Sequence, residues 1–194
     1  MTIVCDNVLS PEDLADYIKR LEFARFGDTI SQGIKYSNVT QDLSGDKIYK
    51  FIENHETLKL LGKPDNVVNF LRAYKHKPDY IHPMWIHSDR AFADYIGVFF
   101  VKSSQWPQDD GFALWKNKDL DAIEARNQEE HEYADTQTLD PEKWELWQRV
   151  EFKQNRLVIC PASYFHSCMT YGHKGTNLSN CRIVHVLFFN EEKK

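Results

Sequence analysis

Trp85-Ile86-His87-Ser88-Asp89 is the stretch around which the rest of the chain is arranged. Side chains alternate between the two faces of a strand, so an extended backbone here puts His87 and Asp89 on one side and Ser88 on the other. An imidazole and a carboxylate two residues apart can then occupy adjacent positions around one divalent cation. Two later places give the pair its meaning: His166 in Ala162-Ser163-Tyr164-Phe165-His166, and Arg182 in Asn180-Cys181-Arg182-Ile183-Val184. His166, from a distant strand, would complete a triangular face of three ligands and leave the opposite face open. Any one of these histidines alone would more often be a structural residue.

Around this stretch, from Val67 onward, β-branched and aromatic residues lie between turn signals. Strands are expected at 67–75, 81–87, 95–102, 112–115, 150–152, 156–160, 166–171 and 181–190. Many short strands without alternating long helices suggest an antiparallel sandwich or barrel rather than a doubly wound sheet. Upstream, Ser10-Pro11-Glu12-Asp13 reads as a helix start, with Ser10 as cap, Pro11 at the first helical position and Asp13 placed to reach back. Leu14, Tyr17, Ile18 and Leu21 give that helix an apolar face. A short strand is expected at 34–39, and a second helix at 46–55 burying Ile48, Phe51 and Ile52.

The net charge of −5 is uneven. Residues 119–151 hold eleven acids and three bases, a local charge of −8, which leaves the remainder at +3. An anionic substrate is therefore compatible with the acidic total, and no long basic stripe argues for nucleic acid, which is nevertheless not excluded. Within this acidic insertion, 119–148, one helix is expected over 119–132 and another from Asp140-Pro141-Glu142-Lys143-Trp144. The insertion is either a lid that brings Trp144 or Trp147 to a substrate, or a solvated crossover anchored by those tryptophans. The second reading is preferred, because helical aromatics usually face a core.

A chain of 194 residues with 42% hydrophobic residues, 12 Phe, 9 Tyr and 5 Trp is expected to form one folded domain. The start of the chain lacks a basic segment followed by an apolar run, and no apolar stretch approaches the roughly 20 residues that span a bilayer. A soluble, cytoplasmic protein without a membrane partner is expected. Cys5, Cys160, Cys168 and Cys181 show no paired metal-type spacing and read as reduced thiols.

The order His-x-Asp, distal His, then Arg resembles the 2-oxoglutarate and Fe(II)-dependent oxygenase superfamily over residues 67–189. Asp79-Tyr80-Ile81-His82-Pro83-Met84-Trp85-Ile86-His87-Ser88-Asp89 and Asn155-Arg156-Leu157-Val158-Ile159-Cys160-Pro161 are similar to phage and bacterial members related to prolyl hydroxylases. The resemblance implies a double-stranded β-helix (jelly roll), mainly β with flanking helices, in which residues 1–62 form an N-terminal helical support. It implies Fe(II) on His87, Asp89 and His166, an arrangement associated with non-haem iron oxygenases. It further implies 2-oxoglutarate in two of the remaining positions, O2 in the last, and ascorbate as a possible reductant. Hydroxylation with release of succinate and CO2 would follow, Asp89 arguing against a halogenase.

Arg182 would meet the far carboxylate of 2-oxoglutarate, since a guanidinium stays charged and offers two parallel donors. On that strand Val184, Val186 and Phe188 would share its face, and His185 would point away. Tyr74 stands where the prolyl-hydroxylase group has a cosubstrate-contacting Tyr; a barrel tyrosine satisfied by backbone is the equal alternative. Two departures are visible. Asp110 replaces the first of two glycines that often open a family strand, and Phe99 and Phe100 lie where a second Tyr is common. His82 is a substrate-side or structural candidate, His173 a solvated loop residue, and Arg90 either a contact for an anionic substrate or, preferred, a rim ion-pair residue.

Two other classes remain open. A cupin-type metal-dependent isomerase or binding protein would form no succinate and have no need of Arg182. A degenerate barrel serving as an interaction module would bind neither Fe(II) nor Mn(II). A protein side chain, a free amino acid and a modified nucleobase are all compatible substrates, and the oligomeric state is open.

Overall fold

The computed structural model describes residues 1–31, 34–41, 43–44, 46–61, 64–73, 85–104, 110–168 and 175–190. Strand β1 (Ile3–Asp6) leads into helix α1 (Pro11–Leu21), whose start is closed by Ser10 Oγ accepting from the Asp13 N–H at 3.1 Å. The Asp13 carboxylate pairs with Lys47 on helix α2 (Lys47–Asn54) and also reaches back to hydrogen-bond the Ser10 side chain. The strands β2 (Gly27–Ser31) and β3 (Ile34–Gln41) lie between the two helices. Besides the two helices, β1 and β3 extend the barrel sheet, β1 by pairing with β8 (Arg156–Pro161) and β3 by pairing with β4 (Pro64–Ala73).

The remaining strands are β4 (Pro64–Ala73), β5 (Tyr95–Lys102), β6 (Gly111–Asn117), β7 (Trp144–Glu151), β8 (Arg156–Pro161), β9 (His166–Cys168) and β10 (Ile183–Phe189). Among the described residues they form a large antiparallel sheet ordered β1-β8-β5-β10-β4-β3-β2 and a small one ordered β7-β6-β9. This is a double-stranded β-helix with helices on one side. The alternation of strand side chains divides the apolar residues between two cores. Ile96, Val98 and Phe100 of β5 meet Phe112 and Leu114 of β6, Val158 and Cys160 of β8, and Val184 and Phe188 of β10 inside the barrel. Their neighbours Phe99, Val101, Leu157, Ile159, Ile183, Leu187 and Phe189 face outward and bury Tyr17, Leu21, Ile48 and Ile52 of the two helices. Gly97 permits this packing, because a Cβ there would lie 3.0 Å from the Phe189 ring. No described helix is long and apolar enough to cross a membrane.

The acidic insertion departs from expectation. Its first part is a turn, in which the Asn117 side chain accepts the Asp119 and Leu120 N–H groups at 3.0 Å each. The helix, α3 (Gln128–Asp135), starts only where Asn127 caps it by accepting from Glu130 N at 2.9 Å. Asp119 is engaged instead by Tyr133, Gln137 and Lys143. Asp140-Pro141 starts a single 3-10 turn, and the chain then becomes β7 because it pairs along nearly all of β6. The strand expected at 150–152 is the end of this longer one. Trp144 is buried, donates from Nε1 to Gln137 O at 3.0 Å and meets the Phe165 ring edge-on, so it anchors the insertion. Trp147 is exposed and rests against Tyr164. A strand cannot bury every neighbour on one face as a helix stripe does.

Asn155 ties the N-terminal segment to the barrel. Its side chain both accepts from Leu9 N and donates to Leu9 O, each at 2.8 Å, from a left-handed backbone with φ 67°. Asn155→Ala should lower unfolding stability by about 2 kcal/mol or more, and Asn155→Gly by about 1 kcal/mol less than that, since glycine removes the bonds without the backbone strain. Denaturant midpoints of the two variants check this.

Candidate metal centre

The stretch 85–90 is held to the small sheet by one isolated antiparallel bridge. His87 N donates to His166 O at 3.1 Å and His166 N to His87 O at 2.8 Å, which sets the two rings 4.5 Å apart between centroids. Asp89 N donates to Ala162 O at 2.8 Å, and the Asp89 carbonyl accepts from Phe92 N at 2.9 Å, turning the chain away after the carboxylate. Phe112 stacks on His166 at 5.4 Å and fixes that ring from inside the barrel.

Each histidine has its Nδ1 directed at the carbonyl oxygen two residues upstream: Trp85 O for His87 at 3.0 Å, Tyr164 O for His166 at 2.9 Å. A carbonyl oxygen only accepts, so each Nδ1 carries a proton and each Nε2 is the nitrogen left to meet a metal. Nε2 of His87 lies 3.8 Å from Asp89 Oδ1, and Nε2 of His166 lies 3.3 Å from Asp89 Oδ2. The three donor atoms all fall within 4.8 Å of one another. The His87 side chain is 36% exposed and that of His166 only 6%, so the group sits at a cavity mouth with one side open.

Loss of water around His87 and the charge of His166 hold its imidazole down to about 4. Burial pushes the Asp89 carboxyl up, but the His166 hydrogen bond and the charges of His87, His166 and His131 outweigh it, leaving it below the ordinary carboxylate value. At neutral pH the carboxylate is thus ionised and the His87 ring is neutral, the protonation that a divalent cation needs of such ligands.

Behind the mouth the cavity is lined by Ile96, Val98, Phe112, Val184, Val186 and Phe188, with Arg182 and Arg72 in the same wall. Arg182 is 1% exposed, donates from Nη2 to Gly111 O at 2.8 Å and lies over the Phe100 ring at 5.9 Å. His185 points the opposite way, its Nδ1 3.1 Å from Tyr17 Oη, as the alternation requires. The structure therefore brings His87, Asp89, His166 and Arg182 to one cavity.

Tyr74, His82 and His173 lie outside the described residues. Arg90 Nη1 donates to the Ala125 carbonyl at 2.9 Å, and its charge also acts on the Glu130 carboxylate. Two residues went unrecognised in the sequence. Arg72, the one charge in the run 67–73, carried the same signal that marked Arg182; His131, buried at the back of the metal-bearing stretch, carried none.

No family model matches this sequence, and no curated protein matches it in sequence. Solved structures do match its fold. The epimerase SnoN, solved with Fe3+, alpha-ketoglutarate and nogalamycin RO, aligns with a TM-score of 0.56 at 10% identity, over 98% of this chain and 78% of that one. A prolyl-4-hydroxylase from Pseudomonas putida aligns at 0.54 and 13% identity, over 98% and 92%. HygX from Streptomyces hygroscopicus, solved with nickel and 2-oxoglutarate bound, aligns at 0.52 and 11% identity, over 99% and 85%. At such identities the likeness is one of fold.

The depressed His87 value has a sign that can be measured. The unfolded chain takes up this proton below about pH 6.5, whereas the folded metal-free chain resists until about 4. Metal-free protein should lose stability as pH falls through that window, and His87→Asn should flatten the decline. Thermal midpoints of both proteins from pH 7 to 4 measure it; parallel curves would refute it.

Proposed function

We propose that this chain is an Fe(II) and 2-oxoglutarate-dependent oxygenase that hydroxylates its substrate. The observation that carries the reading is the convergence of two Nε2 atoms and one carboxylate at the mouth of a cavity whose apolar wall contains Arg182. The donor set fits Fe(II): two neutral imidazoles and a carboxylate on one side, with the other side open. When bound, Fe(II) with 2-oxoglutarate and O2 supplies oxidative decarboxylation to succinate and CO2 coupled to oxidation of a substrate C–H bond.

The protein's own contribution is positional and electrostatic. His87, Asp89 and His166 hold the metal, with the Trp85 and Tyr164 carbonyls fixing both imidazole tautomers. Arg182 receives the distal carboxylate of 2-oxoglutarate, where a low-dielectric wall strengthens a charge-assisted pair. Ile96, Val98 and Phe112 exclude water from the space between. Tyr74 is assigned a second cosubstrate contact by the resemblance to prolyl hydroxylases. The substrate class is a protein side chain, an amino acid or a nucleobase. Arg182 favours this reading over a cupin-type isomerase, which has no use for a buried guanidinium facing the metal cavity.

Anaerobic titration with Mn(II) and then 2-oxoglutarate, followed by succinate measurement with Fe(II), ascorbate and O2, tests the assignment. His87→Ala should strongly weaken metal binding and abolish succinate formation. Arg182→Ala should retain metal but raise the 2-oxoglutarate requirement about 10- to 100-fold, the weight of one charge-assisted hydrogen bond. Two variants indistinguishable from the parent would refute the reading.

A further inference from the structure

The residues of the metal-bearing stretch that face away from the cavity are anchored at every second position. Ile86 N donates to Thr138 O at 2.9 Å. Ser88 Oγ lies 2.8 Å from His131 Nδ1, and Arg90 Nη1 donates to Ala125 O at 2.9 Å. All three partners belong to residues 125–138, around α3. His87 and Asp89, between these anchors, turn the other way toward the cavity. Because the stretch has a single isolated bridge and no continuous ladder, its backbone is held from the front by only a few bonds.

Among the three anchors, Ser88 to His131 is the one made between side chains. Both are buried, at 3% and 8% exposure, in a region where an unmatched polar group costs about 1–3 kcal/mol. His131 Nε2 in turn faces Asp135 Oδ2 at 3.6 Å, one helical turn on. Ser88 Oγ and His131 Nδ1 thus form a buried hydrogen-bonded pair, with the Asp135 carboxylate near the other ring nitrogen. The arrangement has the residue types of a nucleophile triad, but Ser88 is closed off from solvent and cannot attack a substrate.

We propose that His131 is a positioning residue of the metal centre, which sets the separation of His87 and Asp89 by gripping Ser88 between them. The inference rests on the reading that these ligands hold a divalent cation. A residue of this kind changes metal affinity by about 10- to 100-fold when removed, as partners that orient ligands commonly do.

The test is the dissociation constant for Mn(II), read from the EPR signal of free Mn(II), with the visible spectrum of the Co(II) form as a second readout. His131→Leu and Ser88→Ala should each weaken Mn(II) about 10- to 100-fold and alter the Co(II) bands. The double variant should be no weaker than either single one, since both remove the same contact. His131→Asn, whose amide can place an acceptor where Nδ1 stands, should restore affinity to within about threefold. Asn155→Ala, destabilised at a site remote from α3, should bind Mn(II) as the parent does. The proposal is overturned if His131→Leu and Ser88→Ala match the parent, or if Asn155→Ala weakens binding as much as they do. A parent that binds no Mn(II) would remove the metal reading itself, and this one with it.

Discussion

Two reciprocal backbone hydrogen bonds join His87 to His166 across 79 positions of sequence, and the candidate site depends on that pairing. Residues facing each other in such an antiparallel pair point their side chains the same way, so the bridge brings two imidazoles to one side, with ring centroids 4.5 Å apart. Asp89, two residues further on, inherits the same side. A slip of one residue in the register would replace His166 by Phe165 or Ser167 and disperse the donors. Register is in turn enforced by burial: Phe165 is wholly buried with Ile86 and Trp144, while Ser167 holds the Trp115 indole N–H at 2.9 Å.

The barrel solves two opposed requirements with one alternation. A cluster of polar donors needs charged side chains, and a charge-assisted contact inside an apolar wall needs water kept away. The inward residues of β5, β6 and β10 are apolar, and the charges placed among them, Asp89, Arg182 and Arg72, sit at the cavity wall. The outward residues of the large sheet supply the stability by burying the faces of α1 and α2, each large apolar side chain worth about 1.5–3 kcal/mol. The site therefore rests on a sheet whose other face is a conventional core, with the 119–143 segment supporting the small sheet from behind.

Legibility in the sequence followed the range of the interaction. Strand β5 was readable to the residue because Tyr95-Ile96-Gly97-Val98-Phe99-Phe100-Val101-Lys102 is apolar on both faces and bounded by polar residues. The inward direction of Arg182 and the outward direction of His185 followed from period two alone. The acidic insertion was misread because Asp140-Pro141-Glu142 satisfies local helix-start chemistry, while pairing with β6, a tertiary contact, decides for strand. Trp147 was misjudged with it. Arg90 and His131 were unreadable for the same reason: their partners, Ala125 O and Ser88 Oγ, are distant in sequence and leave no periodic trace.

The central claim, that two imidazoles and a carboxylate share one divalent cation, is most directly tested by pulsed electron-nuclear resonance of Mn(II)-loaded protein carrying 15N-histidine. Couplings from two directly bound imidazole nitrogens are expected, one of which disappears in His87→Ala if metal is forced on at high concentration. A Mn(II) signal without bound histidine nitrogen would contradict it.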